Sequence, residues 1–228
     1  MKKRLKINGI IMFVVSLSIV ILPSVFLRHK YPHSLDEFME LFGIAFILLG
    51  QIFRASARGY KSEHSKNGTA LIQGGPYYLV RNPMYLGILL IGGGIILILF
   101  RWWVLGLFLF IFIWRYSLLI LKEEKKLLMM FPEACKDYFK KVPRLMPSIP
   151  MLLRNDIIEY LPLKFPWVKK EIGSMLAVLL ITLFLESWDD IHHEGIQVYL
   201  YELVFLVMVI MLFIFLVIYL HKRAKSLG

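Results

Sequence analysis

The stretch "PMYLGILLIGGGIILILFRWWVLGLFLFIFIWRYSLLILKEE", Pro83 to Glu124, holds two long apolar runs separated by one short break at Arg101 and Trp102. Each run approaches the ~17–25 residues that carry a helix across the hydrocarbon core of a bilayer. The stretch reads as a transmembrane hairpin whose two ends return to one membrane face.

Four further runs extend the pattern outward: Asn8 to Leu27, Leu41 to Phe53 (lengthened backwards by Phe38 and Met39), Ile172 to Trp188 and Val198 to Leu220. The chain has 228 residues, 58% of them hydrophobic, and this apolar weight in long uncharged runs exceeds what a soluble core needs. The expected fold class is therefore all-α, a polytopic transmembrane helical bundle of about six spans. The opening "MKKRLK" looks like the basic region of a signal peptide, but no small-x-small cleavage site follows, so a retained helix is expected.

Basic residues set the expected orientation. With six crossings and the N-terminus inside, the segments Met1 to Asn8, Arg54 to Pro83, Lys122 to Glu171 and His221 to Gly228 hold 23 of the 27 Lys and Arg. That is the positive-inside rule, and it places both termini in the cytoplasm. The net charge of +11 follows from topology and from anionic lipid headgroups, so nucleic acid is not implied. Cys135 is the single cysteine, and no disulfide framework exists. Nothing in the pattern specifies an oligomeric state.

The two segments flanking the hairpin are chemically unusual. Before it stands "GGPYYLVRNP", Gly74 to Pro83, a backbone-shaped turn. Gly74 and Gly75 permit positive φ or close approach, Pro76 fixes its own φ, and Pro83 favours extended geometry at Asn82 while opening a helix. Arg81 and Asn82 then sit at the helix's positive end, which favours a carboxylate or phosphate; an interfacial anchor would use the same residue types. After the hairpin come Glu123 and Glu124. On an otherwise cationic surface they read either as a solvated face paired with neighbouring lysines or as a seat for a cation.

Taken together, "GPYYLVRNPMYLG" and "EEKKLLMMFPEACKDYFKKVPR" resemble the motifs of the isoprenylcysteine carboxyl methyltransferase and phospholipid N-methyltransferase superfamily of integral membrane methyltransferases. That family has Gly-x-Tyr, three residues, Arg-His or Arg-Asn, Pro-x-Tyr-x-Gly before one helix. After the next helix it has a Glu pair, Phe-Gly, two tyrosines and Val-Pro-Arg. The resemblance runs from about Gly68 to Pro147 and implies S-adenosylmethionine as cofactor, entering from the cytosol, with an amphiphilic or lipid acceptor arriving from the bilayer. It implies cofactor contacts at Leu71, Ile72, Tyr77, Asn82, Pro83, Met84, Tyr85 and Glu123. Arg81 would organise the site or meet an anionic group. Chemistry rather than the resemblance suggests Glu124 as the proton acceptor, should the acceptor be a protonated amine. The implied setting is a bacterial inner (plasma) membrane with the site facing the cytoplasm.

The chemistry agrees independently. A cofactor with a sulfonium, an ammonium and a carboxylate needs carboxylates, aromatic faces and donors, which Glu123, Tyr77 with Tyr85, and Arg81 can supply. Methyl transfer asks mainly for alignment and dehydration, and a protonated amine acceptor must first lose a proton. The chain also departs from the isoprenylcysteine enzymes. Asn82 and Thr69 stand where they have His, Leu119 stands where they have an Arg near the substrate, and Pro132 and Cys135 replace Gly and Tyr. These departures weigh against prenylcysteine as acceptor.

Residues 1–150 are expected to form the methyltransferase core, and residues 151–228 a C-terminal extension with two more membrane helices. Arg115 lies inside the fourth span, where it would face a headgroup, pair with Glu202 or snorkel. The outer "ESWDDIHHEG" offers Asp189, Asp190, His192, His193 and Glu194 as ligand types, but an acidic outer loop is also what topology prefers, and no metal is expected. Gly92, Gly93 and Gly94 lack the strand-turn-helix setting of a nucleotide loop and instead permit close helix approach. Two alternatives remain. One is a sterol-type reductase using reduced nicotinamide, which has a similar Arg-His-Pro turn; the other is a non-catalytic lipid-binding or scaffold protein.

Overall fold

The computed structural model describes residues 22–28, 33–65, 70–148 and 159–193, with further helical positions between 200 and 222. Among these residues the chain is helical and contains no strand beyond one isolated bridge between Leu27 and Phe100. The helices are α1 (Pro23–Phe26), α2 (His33–His64), α3 (Pro76–Leu79), α4 (Pro83–Leu99), α5 (Trp102–Met130), α6 (Pro132–Lys141) and α7 (Phe165–His193).

Two stretches, Phe38–His64 of α2 and Trp102–Met130 of α5, are long and apolar enough to cross a membrane, and α4 is a shorter apolar helix. The hairpin expected from the sequence is α4 and α5, turning at Phe100 and Arg101. Its turn is tied to the chain before α2. Arg101 donates its backbone N–H to Phe26 O (3.0 Å) and Nε to Leu27 O (3.2 Å), while Arg28 donates its N–H to Leu99 O (3.1 Å). The expected first span lies mostly outside the described residues, as does much of the sixth.

Three helices differ in extent from the sequence expectation. α2 does not stop at Phe53 but continues to His64, because Arg54 and Arg58 find a buried carboxylate partner on α7. α5 does not stop at Leu121. "KEEKKLLMM" consists of strong helix formers, so the helix carries Glu123 and Glu124 on rigid backbone until Pro132 bars the α conformation at Phe131. α7 begins at Phe165 rather than Ile172 and runs through Asp189 to His193, so the residues expected in an outer loop up to His193 are helical.

The tightest packing joins α2 to α4, which run antiparallel. Gly43 faces Gly94 and Gly50 faces Gly87. A Cβ on Gly50 would lie 2.6 Å from Gly87 O, and one on Gly43 would lie 2.8 Å from Gly94 O. Small residues at this spacing let two backbones touch, which is how helices associate where lipid removes the hydrophobic driving force. The close approach also brings the N-terminus of α4, with its preceding turn, against the far end of α2.

Candidate active site

Three chain segments converge at the open end of the hairpin. The turn before α4 is set by Gly75, whose φ of 56° is a left-handed conformation that suits glycine. Both Gly74 and Gly75 lie against the ring of Tyr60 from α2, and a Cβ on Gly75 would sit 2.7 Å from it. One helical turn, α3, follows from Pro76, and Pro83 occupies the first turn of α4.

The segment after α5 folds back onto this turn. Arg81 donates its backbone N–H to Pro143 O (2.8 Å), and Asn82 donates Nδ2 to Arg144 O (3.0 Å). Tyr138 of α6 donates its hydroxyl to Tyr77 O (2.7 Å). Pro132, where the resembled family has Gly, opens α6, and Cys135 is buried beneath it. The two motifs are thus fastened to each other through main-chain groups.

The acidic pair divides its work. Glu124 is 7% exposed and bridges both motifs: Arg81 Nη1 lies 2.7 Å from Oε1, while Arg144 donates Nη2 to Oε2 at 3.0 Å and Nε to Oε1 at 3.3 Å. The Arg81 guanidinium also lies over the Phe139 ring at 4.5 Å. Burial lowers the Arg81 guanidinium below its ordinary value, with Glu124 acting in the opposite sense, and Arg81 Nε is buried without a hydrogen-bond partner. Glu123, one residue away, is exposed; its described hydrogen bond is from the Tyr85 hydroxyl at 2.8 Å. Tyr85 packs on Tyr116 (centroids 4.9 Å apart), which stacks on Phe112 at 4.1 Å. Burial, with Glu123 nearby, pushes the Tyr77 phenol above its ordinary value.

The structure therefore gathers Tyr77, Arg81, Asn82, Pro83, Tyr85, Glu123 and Glu124 into one cluster. Met84 is half-buried in the first turn of α4, and Leu71 and Ile72 are half-buried in the extended approach, with no described hydrogen bond to the cluster. Thr69 lies outside the described residues, and Leu119 is exposed on α5. Arg115 is exposed on α5, whereas Glu202, its suggested partner, is not described. Sequence reasoning gave no role to Arg144, Tyr138, Phe139 or Tyr116. The first three lie inside the quoted second motif, and Tyr116 falls two helical turns before Glu123, on the same side of α5. Among the described residues no group of three or more His, Cys, Asp or Glu could hold a metal.

Residues 37–134 match the phospholipid methyltransferase family model. That family is part of the isoprenylcysteine and phospholipid methyltransferase superfamily, and residues 37–134 are similar to it. The match spans α2 to the start of α6, and so contains the close α2–α4 pair, the hairpin, the turn and the acidic pair. It supports a membrane methyltransferase in general terms. No curated protein and no solved structure matches the chain. Arg81 and Glu124 both lie within the matched residues; Arg144, which completes their bridge, lies beyond them.

Proposed function

We propose that the chain is an integral membrane methyltransferase that uses S-adenosylmethionine and modifies an amphiphilic or lipid acceptor at the cytoplasmic face, in a bacterial inner membrane. The observation that carries this reading is the division of the acidic pair. Glu124 is spent on holding Arg81 and Arg144, while Glu123 keeps one oxygen without a described partner beside the Tyr85 phenol, on which Tyr116 packs. A carboxylate set among aromatic faces suits a cationic ligand, and the orphaned Arg81 Nε is a donor for an anionic group. This donor set fits a ligand carrying a sulfonium, an ammonium and a carboxylate.

When bound, the cofactor supplies an activated methyl group, which passes to the acceptor's lone pair as the carbon–sulfur bond breaks and its electrons return to sulfur. The chain's own tasks are to bind, align and dry the site. Glu123 faces the cationic end, with Tyr77 and Tyr85 giving ring surface. Asn82, Pro83 and Met84 shape the helix start, and Leu71 with Ile72 supplies apolar wall from the approach. Arg81 is fixed by Glu124 and Phe139, which leaves its Nε as a donor for an anionic group. Both oxygens of Glu124 accept from guanidiniums, an arrangement that favours a holding role over the proton-acceptor role suggested by the sequence; an amine acceptor would pass its proton to Glu123 or to water. Exposed apolar residues of α5, including Leu118 and Leu119 one turn before the pair, offer a lateral route for an acyl chain.

Calorimetry on detergent-solubilised protein should detect S-adenosylmethionine and its demethylated product, with no heat from NADPH. Methyl-labelled cofactor incubated with a membrane extract should then label an extractable lipid. NADPH binding in place of the S-adenosyl ligands would favour the reductase alternative, and label confined to water-soluble products would remove the lipid acceptor.

A further inference from the structure

The extension beyond the family-matched stretch reaches back to the candidate site. Tyr160 stacks on Tyr78 of the turn, with centroids 4.4 Å apart and planes 12° from parallel. Tyr160 and Leu161 also pack against the buried cluster of Phe53, Leu79, Val80 and Leu86, which ties α2, the turn and α4 together. Tyr78 is the direct neighbour of Tyr77, whose carbonyl accepts from the Tyr138 hydroxyl.

The segment carrying Tyr160 is anchored unusually firmly to α2. Leu163 is fully buried against Ile52 and Ala55. Lys164 and Trp167 both donate to Glu63, at 2.6 and 2.8 Å. The Trp167 indole lies directly on Gly59, where any Cβ would overlap it. Glu171, 2% exposed, accepts from Arg54 at 3.2 Å and from Arg58, and Ser174 Oγ donates to the same carboxylate at 3.1 Å. A carboxylate buried in this way is costly to desolvate and is poor evidence for stability, but its two partners on α2 match α7 to one position along that helix. What that register fixes is the position of Tyr160 over the turn.

We infer that Tyr160 is a positioning residue for the cofactor-binding turn, acting through Tyr78 on Tyr77, and that Trp167 and Glu171 hold it in place. The inference rests on the S-adenosylmethionine reading for its functional meaning. Its mechanical part stands on the ring stack and the anchor. The turn is a single helical turn opened by two glycines, too short to be stable alone. Held by the Tyr138 hydrogen bond and the Tyr160 stack, it keeps Tyr77 beside Glu123 before any ligand arrives.

Two readouts on the full chain test this. In ligand-free protein, hydrogen exchange at the amides of Tyr77, Tyr78 and Val80, which bond to Gly74, Gly75 and Pro76, reports the turn directly. Tyr160→Ala should speed that exchange on the order of tenfold while leaving α4 and α5 unchanged, as expected for local opening. The same variant should bind S-adenosylhomocysteine roughly three- to tenfold more weakly, the range expected for a lost aromatic pair. Tyr160→Phe, which keeps the ring, should restore both, and Tyr160→Leu, which keeps apolar volume and secures folding, should not. Unchanged exchange and affinity in Tyr160→Ala and Tyr160→Leu overturn the inference while leaving the cofactor reading intact. Faster exchange spread evenly over α4 and α5 overturns it also, since that is general loosening. Wild-type protein that takes up no S-adenosylhomocysteine overturns the cofactor reading and the positioning role with it.

Discussion

Glu123 and Glu124 are adjacent in sequence and about 100° apart around α5, and that rotation gives them different environments. Glu124 turns inward between two guanidiniums; Glu123 stays at the surface against a phenol. Glu124→Gln should therefore destabilise the fold, by roughly 2 to 4 kcal/mol once the exposure of Arg144 is discounted from the cost of breaking a buried pair. Glu123→Gln should leave the melting temperature nearly unchanged and cost roughly 1.5 to 3 kcal/mol of S-adenosyl ligand binding, the worth of a hydrogen bond to a charged group. Thermal unfolding and calorimetry on both variants check the split, and the reverse pattern would exchange the two roles. The sequence displayed the pair but not this division, because the deciding partner, Arg144, is separated from it by a whole helix end and α6. A pH dependence follows from Tyr138, whose phenol is pushed above its ordinary value of 10.0 chiefly by burial. A group raised on folding stabilises fully below its unfolded value and loses that contribution as pH rises through the folded one. The stability contributed by the buried neutral phenol should thus be full below about pH 10 and decline progressively above it. Stability measured from pH 8 to 11 should fall less steeply in Tyr138→Phe than in the wild type.

Among elements, the pairing of α2 with α4 decides where the turn lands. Three consecutive glycines on α4 look alike in sequence, yet they meet different surroundings. Gly94 meets the backbone of α2, Gly92 meets the ring of Phe108, and a Cβ on Gly93 would touch nothing within 4 Å. Gly94→Ala should cost roughly 1 to 3 kcal/mol by overpacking, since a backbone carbonyl cannot rotate aside. Gly93→Ala should be neutral or slightly stabilising, because Ala is the better helix former. Melting of the two variants in detergent distinguishes them, and equal losses would remove the close contact. The sequence showed that this triplet favours helix approach, since Gly is what such contacts use. It could not show which glycine touches what, because that depends on the rotation of α2, whose own glycines lie one per two turns.

On the scale of the whole molecule, the apolar runs and their order were legible, since uncharged length is a property of the sequence itself. The helix ends were not. α2, α5 and α7 all continue through charged residues, and what carries α2 on is the pairing of Arg54 and Arg58 with Glu171 far along the chain. Glu171→Gln should loosen α7 from α2, at roughly 2 to 4 kcal/mol given that Arg58 is mostly exposed. Hydrogen exchange should then quicken from Trp167 to Ser174 relative to the wild type, with the α4–α5 hairpin still protected. Unchanged exchange would show that apolar packing alone holds α7.

The bridge from Arg81 through Glu124 to Arg144 also has a consequence in time. A ribosome delivers the three residues in that order, and at ~5–20 residues per second Arg81 emerges seconds before its carboxylate and longer before the second guanidinium. During that interval an uncompensated cation stands at the mouth of α4. In the proposed topology this cation opposes passage of the turn through the bilayer and so keeps the turn on the side of synthesis. The site itself closes only when Arg144 clears the exit tunnel. Nascent chains stalled before that point should hold α4 and α5 in the membrane yet retain no S-adenosylhomocysteine, whereas chains stalled well beyond Tyr160 should retain it.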